Sequence, residues 1–341
     1  MKKVFAAWAV LALLCLGGIA QAVTMDTVPV GDRGNAADTR YVTPGYGSVG
    51  YTYNIGKYEV TAAQYVDFLN HKAESDPYGL YNPNMSNPTG WLGCNIQRSG
   101  TPGGYTYTVA SDWANRPVNF VSFWDACRFA NWLHNGGGAG DTENGAYALG
   151  GYNGTDGRTI QRNAGWKWAV TSEDEWYKAA YYRGGGSNAG YWDYPTQGNS
   201  VPSNDLVNPD PGNNATYYDG ADYTIGNPYW RTEVGAHENS DSPYGTFDQG
   251  GNVWEMNEAI PYQTSSYAYR GSRGGGFYAN LGDGVNMDYV LHASLRTSLD
   301  PTRELYDGGF RVVQAVPEPS SLIVLAGGLG MLLGMRRRRT K

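Results

Sequence analysis

Glycine and proline interrupt this chain so often that no long helix or strand can run through it: 48 glycines and 17 prolines stand among 341 residues. Glycine costs about 1 kcal/mol inside a helix and proline about 3, so regular elements must be short and connections many. The combined share, about 19 per cent, is still below the roughly 25–30 per cent that marks low complexity. With 11 tryptophans and 28 tyrosines to bury, the sequence describes a loop-rich but packed body. Three segments carry helix starts, each a hydroxyl residue answered three positions later by a side chain that can bond back. Thr61 and Gln64 precede Tyr65, Phe68 and Leu69; Ser122 and Asp125 precede Phe129, Trp132 and Leu133; Ser172 and Glu175 precede Trp176, Ala179 and Ala180. The second helix should stop at Asn135 and Gly136 and the third at Gly184, because glycine favours helix ends. Short strands are expected at 51–55, 166–170 and 310–313. The stretch 184–227 has almost no period and is rich in Asn, Asp, Gly, Pro and Tyr. A loop of that length needs side-chain turns, bound ions or a function to hold it.

The two ends read as addresses. Lys2 and Lys3 lead an apolar stretch from Val4 to Leu16, followed by Ala20-Gln21-Ala22, the three parts of a secretory signal, with cleavage by signal peptidase expected after Ala22. Leu14 rather than a small residue precedes Cys15, so lipid attachment there is not expected. At the other end Val316-Pro317-Glu318-Pro319-Ser320 precedes an apolar run from Leu322 to Met335, then Arg336 to Arg339 and Lys341. The run is short of the roughly 20 residues that span a bilayer, but a basic stop holds such a segment at the cytoplasmic face. A permanent anchor would share every feature except the Pro-Glu-Pro triplet. The layout resembles the PEP-CTERM sorting signal, which implies an exosortase-type sorting enzyme as partner and membrane contact only through this tail. The expected organisation is a signal peptide at 1–22, a body at 23–315 and a sorting tail at 316–341, with the protein exported to the cell envelope or beyond. Removing Lys2 and Lys3, then five basic residues and Glu318, takes the formal charge from −7 to about −13. Such a body excludes nucleic-acid binding, which needs a basic patch, and is compatible with cations. Two cysteines remain, Cys94 and Cys127, either a disulfide or two buried thiols.

Seven segments then follow one another in a telling order. They are Lys57-Tyr58-Glu59-Val60-Thr61, Arg116-Pro117-Val118-Asn119 leading to Trp124-Asp125-Ala126, Ser172 to Trp176, Tyr244-Gly245 through Asp248, Gly251-Asn252-Val253-Trp254-Glu255, Arg270-Gly271 with Gly274-Gly275-Gly276-Phe277, and Gly309-Phe310-Arg311-Val312. Together they resemble the formylglycine-generating enzyme, or sulfatase-modifying factor, family across nearly the whole body. The resemblance implies an irregular, loop-rich α+β fold related to C-type lectins, with few short helices and strands.

It also implies chemistry that this chain does not fully carry. The family oxidises a sulfatase cysteine to formylglycine with oxygen and Cu(I) held by two cysteines, soft ligands for a soft ion. Counting back from Arg296, the family's arginine before the last motif, those positions fall near Asp283 and Asp288, and no cysteine follows Cys127. No copper is expected. An aspartate pair could bind a hard cation or share acid and base roles, but loop aspartates usually serve turns. Iron chemistry in a related branch uses histidines, and His71, His134, His237 and His292 show no ligand spacing. Structural calcium is the cofactor the resemblance implies, through Asp248, Gly251, Val253 and Glu255, with a second site drawing on Asn204 and Asp219. Glu255 paired with an arginine such as Arg273 is the alternative. Three functions follow: a non-catalytic binding or structural module with an extracellular polysaccharide or protein ligand, since exposed aromatics can stack on sugar rings; an enzyme of altered chemistry in the same cleft; or an oxidase retained through Cys94 and Cys127.

Overall fold

The computed structural model describes residues 23–185, 189–278 and 287–317; the signal at 1–22 and the tail from Glu318 onward lie outside the described residues. Within them, the three hydroxyl-led segments become helices α1 (Ala62–Lys72), α3 (Phe123–His134) and α4 (Glu173–Tyr181), and a single turn forms α2 (Ser111–Ala114). All three starts are reciprocal capping boxes, in which the Ncap hydroxyl accepts from the N3 amide and the N3 side chain accepts from the Ncap amide. α3 ends at Asn135 as expected. α4 stops three residues before Gly184, with Tyr182 already extended.

The strands form two four-stranded sheets and one separate hairpin. In the first sheet β1 (Thr27–Val30), β2 (Tyr53–Gly56), β10 (Val312–Ala315) and β5 (Trp168–Val170) lie side by side, all antiparallel. The second runs β8 (Thr297–Leu299), β7 (Ala268–Arg273), β6 (Trp254–Gln263) and β9 (Gly308–Phe310), with β6 and β9 parallel. Strands β3 (Ile96–Ser99) and β4 (Thr106–Val109) make the hairpin. Only Arg311 separates β9 from β10, so the last strand segment stitches the two sheets together.

The core lies between α1, α3 and the first sheet. α3 is buried from Phe123 to Leu133, and its Phe129 stands edge-on to Phe310 at 5.4 Å while Trp132 meets Phe68 of α1 at 5.3 Å. Each such ring, removed from water, contributes about 1.5–3 kcal/mol. The polar residues of so buried a helix must be satisfied: Arg128 pairs with Glu143 at 2.8 Å, and the Asn131 amide donates to the carbonyls of Thr142 and Tyr147.

Between 182 and 253 the described residues include no α-helix and no paired strand, only isolated bridges. Buried Asp210 organises part of this length by accepting from the amides of Gly212 and Asn239, the Asn214 side chain and the Ser240 hydroxyl. Side-chain turns of this kind replace a ladder. Among the described residues no helix is long and apolar enough to cross a membrane.

Candidate functional site

The seven segments meet around one buried ion pair. Arg311, at the break between β9 and β10, donates through Nε and Nη2 to the two carboxylate oxygens of Glu255 at 2.9 and 2.8 Å. Its other donors reach the carbonyls of Gly56 at 2.8 Å and Phe247 at 2.7 Å. Trp176 of α4 donates its indole N–H to Glu255 at 2.8 Å. Around this pair the Val60 amide donates to the Phe310 carbonyl, Val118 to Val60, Ala62 to Arg116, Phe247 to Lys57 and Gly251 to Gly274. Arg311, Glu255 and Glu59 are all essentially inaccessible to water. Glu59 lies 3.9 Å from Arg311, and both of its carboxyl oxygens lack a hydrogen-bond partner. Burial, then the neighbouring Asp248 charge, pushes the Glu59 carboxyl well above the usual range. Asp248 itself is pushed up to about 6 by burial, although the Gly235 amide bonded to it at 2.6 Å works the other way.

A second knot holds α4 to the other sheet. Glu173 accepts from Arg273 at 2.7 Å and from Arg296 at 2.8 Å. The arginine beside Glu255 is therefore Arg311, and Arg273, the partner named as the alternative above, belongs to Glu173. The local sequence could not show this, since Arg311 lies 56 residues from Glu255.

A cavity of about 160 Å³ opens on the second sheet. One cross-strand rung, Met256 of β6, Ser272 of β7 and Thr297 of β8, lines it. Trp254 and the segment before β9, with Arg303, Leu305 and Asp307, form other walls. Burial pushes the Asp307 carboxyl up to about 6. Of these residues only Trp254 stood in a quoted motif; the others carry no local signal.

A family model for the sulfatase-modifying factor enzyme 1-like domain matches residues 21–316. The chain belongs to that family. No curated protein sequence matches it. Solved structures similar to it include CarF, at 18% identity and TM-score 0.49, covering 86% of this chain and 99% of that one. Treponema denticola variable protein 1 gives 17%, 0.48, 84% and 94%, and PvdO from Pseudomonas aeruginosa 16%, 0.46, 86% and 92%, respectively. The sulfatase-modifying factor chain has the expected fold class, an α+β body of few short helices and many short strands.

The residues present do not fit the family's copper. Asp283 lies outside the described residues, and Asp288 falls in a 3-10 turn at Met287–Leu291. Cys94 and Cys127 are free and fully buried, which decides between a disulfide and two thiols in favour of the thiols. Burial raises both thiols above their ordinary value, Cys127 strongly. Neither is then a thiolate at neutral pH, the form that binds a metal.

For calcium the donor set is all oxygen, as a hard cation prefers. Asp248, Gly251 and Val253 lie on the turn that enters β6, and three residues there, Asp248, Gly251 and Asn252, hold left-handed φ angles of 60°, 87° and 59°. The Glu255 carboxylate accepts three N–H donors from Arg311 and Trp176, so an ion would share it with the guanidinium. Asn204 and the Asp219 turn do come together: Asn204 donates to the Asp222 carbonyl at 2.9 Å, while the Asp219 carboxylate accepts from the amides of Ala221 and Asp222 at 2.8 Å. That carboxylate caps its own turn. The four histidines are dispersed: His71 on α1, His134 accepting from the Lys167 amide, His237 against Thr216 and His292 against Ser294. Among the described residues no three His, Cys, Asp or Glu side chains converge as metal ligands.

Proposed function

We propose that this sulfatase-modifying factor family member is an exported, non-catalytic binding or structural module of the cell envelope or extracellular matrix, delivered by its N-terminal signal and sorted through its PEP-CTERM-like tail by an exosortase-type enzyme. The observation that carries the reading is the cysteine inventory. No cysteine follows Cys127, and the two in the body are separate protonated thiols within the core. Cu(I) needs a pair of accessible thiolates. Purified protein supplied with copper and oxygen is expected to leave the cysteine of a sulfatase-derived peptide unchanged by mass spectrometry. Sustained conversion to formylglycine would overturn the reading in favour of an oxidase. Structural calcium at Asp248, Gly251, Val253 and Glu255 belongs to the same proposal as a stabiliser of the fold. Asn204 and Asp219 are the weaker pair of ligands, because the Asp219 carboxylate is occupied by its own turn.

The export half of the proposal rests on the two terminal segments quoted above. Intact-mass measurement of protein recovered from its native cells is expected to give a chain beginning after Ala22 and lacking the arginine cluster. A chain still ending at Lys341 would refute sorting by tail removal.

A further inference from the structure

The cavity on the second sheet combines an apolar wall with a set of polar groups. Its volume, about 160 Å³, is that of a site for one six-membered ring; an engineered apolar cavity of about 150 Å³ accepts benzene. Trp254, Met256 and Leu305 supply apolar surface. Set among them are the hydroxyls of Ser272 and Ser298, the Asp307 carboxyl and the Arg303 guanidinium. Ser272 is fully buried and its hydroxyl has no hydrogen-bond partner, although buried polar atoms are normally satisfied. Arg303 is exposed and, among the described residues, makes no ion pair, unlike Arg128, Arg273, Arg296 and Arg311. A phenyl ring would satisfy the apolar wall and leave the Ser272 hydroxyl dry and unpaired, which costs about 1–3 kcal/mol. A pyranose ring offers an apolar face to Trp254 and hydroxyls at its edge to donors and acceptors of both signs.

Beside the cavity stands a cluster of half-buried rings. Tyr306 lines the cavity, Tyr278 meets it edge-on at 5.5 Å, and Tyr223 stacks on Tyr278 at 5.7 Å. Such a cluster offers aromatic surface next to the cavity for a further sugar unit.

We propose that this cavity binds one pyranose unit of a polysaccharide, with Trp254 against the ring, Arg303, Asp307 and Ser298 on its hydroxyls, and the Tyr306, Tyr278 and Tyr223 cluster beside the unit that follows. The proposal rests on the binding-module reading and names its ligand class. Calorimetric titration of the purified protein with the methyl glycosides of glucose, galactose and mannose, and with their β-linked oligomers, is expected to show binding that tightens with chain length. Arg303→Ala is expected to weaken it about tenfold with an unchanged melting temperature, and Arg303→Lys to restore part of it. Tyr262→Ala, at the exposed Tyr262 beside the half-buried Tyr267 and Tyr269 in the β6 and β7 hairpin, serves as the comparison and is expected to bind like the parent. Absence of binding to every sugar, equal binding by Arg303→Ala, or loss through Tyr262→Ala would each overturn the proposal. Those results leave the peptide-oxidation assay untouched, so failure of this site and failure of the non-catalytic reading are distinguishable.

Discussion

Glu255 and Glu59 are buried carboxyls that both approach Arg311, at 2.8 and 3.9 Å, and the structure gives them opposite roles. Glu255 receives three N–H donors and stands as the charged partner of the guanidinium. Glu59 receives none at its carboxyl oxygens, and burial favours its neutral form. Breaking a buried pair strands an uncompensated charge, at a typical loss of 3–5 kcal/mol. Glu255→Gln is therefore expected to cost about 3–5 kcal/mol in urea denaturation. Glu59→Gln, which replaces a neutral acid by a neutral amide of the same shape, is expected to change stability by less than about 1 kcal/mol. Equal losses from the two substitutions would show that Glu59 is ionised and shares Arg311.

At the scale of elements, the helices were legible because a capping box is local: Thr61 with Gln64, Ser122 with Asp125 and Ser172 with Glu175 each state their own start. Strand positions near 53 and 168 were legible within two residues, whereas the strand expected at 310–313 is broken at Arg311, whose side chain turns to Glu255, into β9 of one sheet and β10 of the other. The longest strand, β6, was not, because Pro261 lies within it and a register shift between Asn257 and Tyr262 breaks the two-residue period. The site was legible to the same degree. Motif order identified Glu255, but its partner Arg311 and the cavity residues Ser272, Arg303 and Asp307 depend on contacts across the chain that no local pattern encodes. The turn from Asp248 to Glu255 is where this bears on calcium. Asp248 and Asn252 hold left-handed backbone there, and non-glycine residues in that region cost on the order of 1–3 kcal/mol each unless surroundings impose it. A calcium ion on the carbonyls of Gly251 and Val253 and the carboxylates of Asp248 and Glu255 would impose it. Removal of calcium with a chelator is then expected to lower the melting temperature, by about 2–4 °C for each kcal/mol of binding lost. A melting curve unchanged by chelation and by restored calcium would assign the turn to Arg311 and the Gly235 amide alone.

Over the whole molecule, the burial of acids sets how stability responds to pH. Desolvation pushes Asp125, Asp248 and Asp307 up to about 6 and Glu304 to about 7, from ordinary values of 3.8 for aspartate and 4.5 for glutamate. A carboxyl raised on folding stabilises most fully below its unfolded pKa, and that contribution is lost as pH climbs through the folded value. For these four groups the loss falls between about pH 4 and 7. Glu175, Asp38 and Asp210 act in the other direction: despite burial, partners such as Arg162 for Glu175 hold them below the ordinary value. Their contribution is present above about pH 4 and lost on further acidification. Lys178, lowered to about 8 by burial, adds stability only as pH rises past that value. His134, His237 and His292, also lowered by burial, cease to oppose folding as pH rises through their ordinary value of 6.5, which offsets part of the carboxyl loss. The acidic body compounds the upper limb, since self-repulsion grows as the raised carboxyls ionise. Calorimetric melting without calcium is therefore expected to give its highest temperature near pH 5 and a lower one at pH 8. A melting temperature that rises from pH 5 to 8 would mean that the buried acids are ionised and paired. With calcium present the decline should shrink, because a cation beside Asp248 favours its charged form.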